Sequence, residues 1–304
     1  MGISRAQPPR RSRGAVPIRV HTLVRGQEDE ELVALLKAHN PEDYTLRYWE
    51  WYWRTSTEVL LATDRSGTAV ATCRWCLQPD QSAWIASIRV HPSLRGRGIG
   101  RALTAQAMAR AHERGIATAR LLTESFNAAM NTMAGQVGME VCSWVSVWLA
   151  EVRALSATSL HDPSRPLEGA REALRLLETS PLVQATAGLV CGWYVYHKPT
   201  VAWVESATKG GRLRIGASGA VWLEAETKRG TDRVLSVQPV VWSGGLPTEA
   251  LQRAHAIGCV ELHLLLPAGH KRDLTLLGAG FSLSPWASLA AIYQGRTSHA
   301  DVVG

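Results

Sequence analysis

Apolar and polar positions along the chain switch repeatedly between a period of two and a period near 3.6. That pattern reads as strands interleaved with helices. Residues 16–24 read as a strand. Leu32, Leu35 and Leu36 give residues 28–38 one apolar helical face, which Asn40-Pro41 ends. Asp43 is placed to N-cap a second helix holding Tyr48, Trp49, Trp51, Tyr52 and Trp53. Strands are expected over 58–62, 69–77 and 82–90, with turns at 64–67 and 79–80. Residues 101–114 form an amphipathic helix closed by Gly115. A strand over 117–123, a short helix over 127–136 with Asn127 at its start, and a strand or hairpin over 139–152 follow.

Residues 153–166 are Ser- and Pro-rich and read as a linker. Beyond them a helix is expected over 167–178, with Ser164 as its cap. Strands are expected over 191–197, 201–206, 213–215, 220–226, 234–241 and 260–266, with a helix over 249–257. The second half echoes the first. Ala111-His112-Glu113-Arg114-Gly115 matches Ala254-His255-Ala256-Ile257-Gly258, Leu121-Leu122 matches Leu264-Leu265, and Gly138-Met139 matches Gly280-Phe281 one residue out of register. The expected organisation is therefore two related α+β domains with mixed sheets, 15–152 and 167–295, flanked by tails 1–14 and 296–304.

A length of 304 residues agrees with about two domains. The net charge of +7 suggests an anionic partner, but its distribution weakens that reading. Residues 1–14 carry four Arg and no acid, residues 15–152 balance 14 basic against 14 acidic side chains, and residues 153–304 hold 15 against 12. Most of the excess thus lies on a short tail read as solvated, and a nucleic-acid partner is disfavoured. No apolar run has the length of a membrane span, and no apolar segment makes the tail a signal peptide. Five scattered Cys read as reduced thiols in a cytoplasmic protein. Cys73 and Cys76 form a lone C-x-x-C within a strand, where that spacing puts the thiols on opposite faces, so no metal site is expected.

The richest segment runs from Ile88 to Leu103, with glycines at 96, 98 and 100 between a strand and a helix. Glycines let the backbone approach a ligand, and a helix start offers free N–H groups and a favourable dipole to a phosphate. Between Gln81 and His112 stand Arg89, Arg95, Arg97, Arg101 and Arg110 and no carboxylate. The spacing is G-x-G-x-G rather than the dinucleotide G-x-G-x-x-G, and the G-K-[ST] of a Walker loop is absent. What fits is R-x-x-G-x-G after a strand.

In Arg95, Gly98 and Gly100, in the strand before and helix after them, and in Asn127 opening the next helix, the chain resembles the GNAT (GCN5-related N-acetyltransferase) superfamily. The resemblance covers about 16–150. It implies the GNAT fold, in two tandem copies if the repeat is real, and acetyl-CoA or another acyl-CoA as cofactor. The pyrophosphate would sit on the amides of Gly96, Arg97, Gly98, Ile99, Gly100 and Arg101. The pantetheine arm would pair with the backbone of Ile88, Arg89 and Val90, and Asn127 would lie near its thioester end.

Acyl transfer to an amine needs a neutral amine, a stabilised oxyanion and a proton for the departing thiolate. Backbone N–H groups near Val90 suit the second. At positions where many family members carry a Glu or His base, this chain has Trp84 and Ala86, and Ala134 replaces the usual Tyr acid. Glu124 is the nearest remaining carboxylate, with Glu50 and Tyr52 as weaker candidates, and catalysis by positioning alone is the alternative. Tyr48, Glu50, Tyr52 and Trp84 are candidates to line the acceptor site, where aromatic walls suit a bulky cationic or ring-bearing amine. At the repeat offset, 95–100 falls on 238–243, where no glycines or basic residues correspond. The second domain is thus expected to be degenerate, completing the acceptor pocket or forming a homodimer interface. The expected activity is an N-acetyltransferase acting on a small-molecule amine, such as an antibiotic or other bulky metabolite. The alternatives are a non-catalytic acyl-CoA-binding or sensing protein, a protein N-acetyltransferase, and a nucleic-acid-associated acetyltransferase recruited by the basic tail.

Overall fold

A computed structural model of the chain describes residues 17–27, 29–152, 162–269 and 273–298. The tail 1–14, most of the linker and the end of the C-terminal tail lie outside them.

In the first half, β1 (Arg19–Thr22), β2 (Glu58–Thr63), β3 (Ala69–Leu77) and β4 (Ala83–Val90) form an antiparallel meander. Successive side chains of a strand face opposite ways, so β2 is buried twice. Val59 and Leu61 pack against α1 (Asp29–His39) and α3 (Trp49–Thr55). Leu60 and Ala62 pack against α4 (Ile99–Glu113) on the other face. The aromatic segment is two helices rather than the one expected. Asp43 caps a single turn, α2 (Tyr44–Arg47), by accepting from the Thr45 N–H at 2.9 Å, and Tyr48 breaks the helical path before α3. The crossover α4 leads to β5 (Thr118–Glu124), which runs parallel to β4. Then come α5 (Ala128–Gln136) and β6 (Glu140–Glu151), one long strand.

The second half contains β7 (Arg165–Pro166), α6 (Ala170–Thr179), α7 (Pro181–Ala185), the hairpin β8 (Val190–Gly192) and β9 (Val195–His197), and α8 (Val201–Lys209). After these come β10 (Leu213–Ile215), β11 (Val221–Arg229), β12 (Asp232–Val241), α9 (Leu246–Ala256), β13 (Glu261–Pro267), α10 (Asp273–Gly278), β14 (Ser282–Leu283) and β15 (Ala290–Arg296). Residues 201–206 are helix, not strand. The Thr200 hydroxyl caps them through the Trp203 N–H at 3.2 Å, and Trp203, Val204 and Ala207 are buried at helical spacing. Ser164 does not cap α6, which starts at Gly169; its hydroxyl binds Asp162 at 2.6 Å and Arg214 instead.

The halves repeat one architecture. An antiparallel run (β2-β3-β4, β10-β11-β12) is followed by a helix (α4, α9) and a parallel fifth strand (β5, β13). They also exchange strands. The chain's last strand, β15, enters the first half's sheet between β5 and β6. In turn, Val145–Glu151 of β6 pair with β13, and Trp148 and Leu149 also pair with β14. One continuous sheet results, ordered β1-β2-β3-β4-β5-β15-β6-β13-β12-β11-β10-β7.

Candidate functional site

The groove starts where β4 and β5 part. Their pairing is limited to Ala83 with Ala119 and Trp84 with Arg120. A bulge on β4 sets Ser87 and Ile88 opposite the single residue Cys73, with Ser87 at φ 54°. From Ile85 onward no strand among the described residues pairs with the β5-facing edge of β4, so an extended ligand chain can add to it.

That edge runs directly into the glycine loop. A 3₁₀ turn over Pro92–Leu94 precedes it, and Gly96 and Gly98 stand at φ 76° and 80°, a region that disfavours any side chain. Gly98 ends the loop as the N-cap of α4, with no side chain to cap it. The first helical bond joins the Ala102 N–H to the Gly98 carbonyl, leaving the amides of Ile99, Gly100 and Arg101 without a helical acceptor. By contrast, α2 and α5 receive caps from Asp43 and Asn127. A Cβ on Gly100 would stand 3.6 Å from Val90 and 3.7 Å from Ile88, so the helix start lies directly against β4.

The basic field is narrower than the sequence suggests. Arg89 turns from the loop, binding Asp43 at 2.5 Å and covering the Tyr44 ring at 5.0 Å. Burial would raise the Asp43 carboxyl, but the Arg89 guanidinium outweighs it and holds that carboxyl below its ordinary range. Arg110 faces Glu113 at 3.5 Å. Arg95, Arg97 and Arg101 remain at the loop; Arg95 reaches the Val90 carbonyl at 3.4 Å, and the Arg97 Nε is buried without a partner. Free amides, three cations and one unsatisfied buried donor fit a polyphosphate.

At the far end of the groove, Glu124 closes β5 opposite Ala290 of β15 and accepts from the Thr123 hydroxyl at 3.3 Å. The Asn127 side chain accepts from the Met130 N–H at 3.2 Å, so it orders the helix start. Asn131 ties the turn together, donating to the carbonyls of Glu124, Ser125 and Asn127. Its own carbonyl accepts from the Tyr293 hydroxyl of β15 at 2.9 Å.

The four acceptor-side candidates separate. Tyr52 is 1% exposed within the core of α1 and β2, so it cannot line a site. Trp84 is buried, packed 6.2 Å from Tyr196 of the hairpin. Glu50 points to solvent and pairs with Arg25 at 2.6 Å. Tyr48 also meets the hairpin, its ring 5.9 Å from that of Trp193, and unlike Trp84 it is only half-buried.

That junction holds residues the sequence reading did not single out. The hairpin lies on the sheet face that also carries α1 and α3. Trp193 stacks on His263 of β13 at 5.4 Å, and Trp286 approaches Tyr194 at 5.3 Å. The Tyr194 hydroxyl lies 2.6 Å from the His263 Nδ1, and the His263 Nε2 hydrogen-bonds Glu261. Glu261 also meets Arg229 at 2.9 Å. The bond from His263, reinforced by Arg229, holds the Glu261 carboxyl below its ordinary range against the effect of burial. A signal existed in the sequence: His263 interrupts the apolar run of a strand, and a buried imidazole needs partners.

In the second half, β12 and β13 also part, beside an apolar groove of about 580 Å³ lined by Leu176, Pro181, Leu182, Val240, Trp242 and Pro267. Its loop is not at 238–243 as the repeat offset placed it, because β12 runs through Val241. The counterpart of 91–98 is the shorter Trp242-Ser243-Gly244-Gly245, which keeps two glycines but has no cation. Glu249 sits in the first turn of α9, and its carboxylate accepts from the Ser218 N–H at 2.7 Å. This helix start already carries its own anion, which opposes a phosphate.

Among the described residues no group of three or more His, Cys, Asp or Glu could hold a metal ion, and no helix is long and apolar enough to cross a membrane. Cys73 and Cys76 lie in cores on opposite faces of the sheet, and burial pushes the Cys73 thiol up to about 12.

Residues 24–139 match the model of the acetyltransferase (GNAT) family. The whole chain is similar to a GCN5-related N-acetyltransferase from Sphaerobacter thermophilus, with 13% identity, 93% of this chain and 97% of that one covered, and a TM-score of 0.61. It is similar to a tandem GNAT protein from the clavulanic acid biosynthesis pathway, with 14% identity, 94% and 100% covered, and a TM-score of 0.53. A third similar structure is the GCN5-related glucosamine N-acetyltransferase region of a fungal multi-domain GH3 β-N-acetylglucosaminidase (12% identity, 92% and 38% covered, TM-score 0.58). No curated protein matches the sequence significantly. Residues 24–139 thus match the GNAT family, and the chain as a whole folds like a tandem pair of GNAT domains, the second of which has no cation in the loop that corresponds to 91–98.

Proposed function

We propose that the protein is an acetyl-CoA-dependent N-acetyltransferase acting on the amine of a small molecule, with the reaction in the first half. One observation carries this reading: the unpaired edge of β4 runs straight into the uncapped start of α4, beside Arg95, Arg97 and Arg101. The amides of Ile99, Gly100 and Arg101 and the three guanidinium groups would hold the pyrophosphate, and the backbone of Ile88–Val90 would bind the pantetheine arm as an added strand. When bound, acyl-CoA supplies an acyl group activated as a thioester. The chain's own task is then to position that carbonyl against an amine and exclude water.

The acceptor side supports a small amine. The hairpin from the second half stands over this face of the sheet beside β5, and the partly exposed rings of Tyr48 and Trp286, backed by the buried Trp193 and by Tyr194, suit a cationic or ring-bearing molecule. A related fold in a fungal enzyme acetylates glucosamine, a small amine of that size class.

A second reading, a non-catalytic acyl-CoA sensor, is favoured by one specific observation. Trp84 is buried and Ala86 has no proton-carrying group, so β4 supplies no base. Calorimetry with acetyl-CoA, followed by thiol release with a panel of primary amines, separates the two. Binding with turnover is expected; binding without turnover by any amine would establish the sensor.

A further inference from the structure

The half with the phosphate loop lacks a proton acceptor on β4; the other half brings one to the same face of the sheet. Trp193 and Tyr194 are the two central residues of the hairpin turn between Gly192 and Val195, at φ 54° and 62°. Two positive φ values define a turn usually built from Asn and Gly. An L-residue held there is strained. Strain at two bulky aromatic residues persists only where the surroundings fix them. Here Trp193 lies flat against His263, 20° from parallel, and the Tyr194 hydroxyl meets the His263 Nδ1.

The hydrogen-bond chain has one consistent direction. Glu261 can only accept, so the His263 Nε2 carries the proton and donates to it. The His263 Nδ1 is then an acceptor, and Tyr194 O–H is its donor. Hydroxyl, imidazole and carboxylate thus stand in the order that activates a nucleophile or base elsewhere in enzymes. The titratable and charged groups facing this chain are Cys191 of β8, Tyr196 of β9, Tyr48 ahead of α3, Arg229 of β11 and Glu261 of β13. Tyr194 shares one apolar cluster with Ala86 of β4 and Leu122 of β5, the residues that flank the parting of those strands.

We propose that the Tyr194 oxygen takes the proton from the acceptor's ammonium group while passing its own to the His263 Nδ1, with Glu261 stabilising the imidazolium. This rests on the transferase reading above. One N–H bond of the ammonium breaks and an O–H forms on Tyr194, while its original O–H breaks and an N–H forms on His263. One positive charge moves from the acceptor to His263, leaving the amine lone pair free to attack. After product leaves, His263 returns the proton to water through Tyr194.

The test uses the full chain, acetyl-CoA, and tyramine, glucosamine, spermidine and lysine as acceptors. Tyr194→Phe and His263→Gln are each expected to lower kcat/KM by about 100- to 10,000-fold. Calorimetric affinity for acetyl-CoA should stay unchanged in both, and the loss should fall on kcat rather than on the KM for the acceptor. Melting curves confirm folding, and either variant suffices if the other does not fold. Wild-type turnover with undiminished kcat/KM in a folded variant overturns the relay and leaves the transferase reading standing. Acetyl-CoA binding with no wild-type turnover of any of the four amines overturns both.

Discussion

Asp80 accepts a 2.7 Å hydrogen bond from the backbone N–H of Lys198, 118 residues further along the chain. The same carboxylate oxygen holds the buried Arg120 guanidinium at 2.7 Å, and Arg120 in turn reaches Gln294 of β15 at 2.7 Å. A turn of the first half is thereby tied to the end of the hairpin and to the exchanged strand. Replacing Asp80 by Ala leaves Arg120, 4% exposed, without its counter-charge. Breaking a buried pair in this way costs about 3–5 kcal/mol, and chemical denaturation measures it.

The same contact makes stability depend on acid. Burial would raise the Asp80 carboxyl, but the hydrogen bonds from Ser82 and Lys198 and the charge of Arg120 hold it below its ordinary 3.8. A folded-state value below the unfolded one stabilises the fold above about pH 4, and that contribution is lost as pH falls through the lower folded value. The unfolding free energy of Asp80→Asn is expected to fall less steeply below pH 4 than that of the wild type; equal slopes would show that Asp80 does not contribute.

Gly98→Glu places a side chain at φ 80° and a negative charge at the open end of α4. The strain costs on the order of 1–2 kcal/mol, so the protein should still fold. Its affinity for acetyl-CoA should drop below calorimetric detection. Retained affinity would move the phosphate site elsewhere.

Tyr48 and Tyr52 lie one helical turn apart but should respond differently. Tyr52→Ala empties a fully buried core position and should cost about 3–5 kcal/mol. Tyr48→Ala should leave the melting temperature nearly unchanged and raise the KM for ring-bearing acceptors. A large loss of stability at Tyr48 would make it a packing residue.

Much of the first half was legible because its signals are local. Gly96 and Gly98 take the positive φ that only glycine adopts readily, and Asp43 and Asn127 cap the helices they precede. Residues 201–206 misled because Val-Ala-Trp-Val fits either period, and only the Thr200 cap tips them to helix. Sequence adjacency makes Tyr48, Glu50 and Tyr52 look like neighbours in one site, but helical geometry sends Tyr52 inward, Glu50 outward and Tyr48 to the junction. Alternation reveals that a strand has two faces but not which edges pair. The insertion of β15 between β5 and β6 therefore left no local trace. The same holds for the meeting of Tyr194 with His263, 69 residues apart.

A chain truncated after Leu289 lacks β15 and loses the partner of β5 and of the first part of β6 at once. Two long edges would lie open, and no cooperative unfolding transition is expected. A normal transition in circular dichroism would mean that the first half closes without this strand.

The position of β15 also sets an order of events during synthesis. The glycine loop and both strands of its groove leave the ribosome early, but the strand that closes their sheet begins 166 residues after β5 ends. For all that time the first half has a gap wide enough for a foreign strand. Its maturation is therefore tied to the completion of the half without the loop, and damage late in the chain is felt first at the groove that was made early.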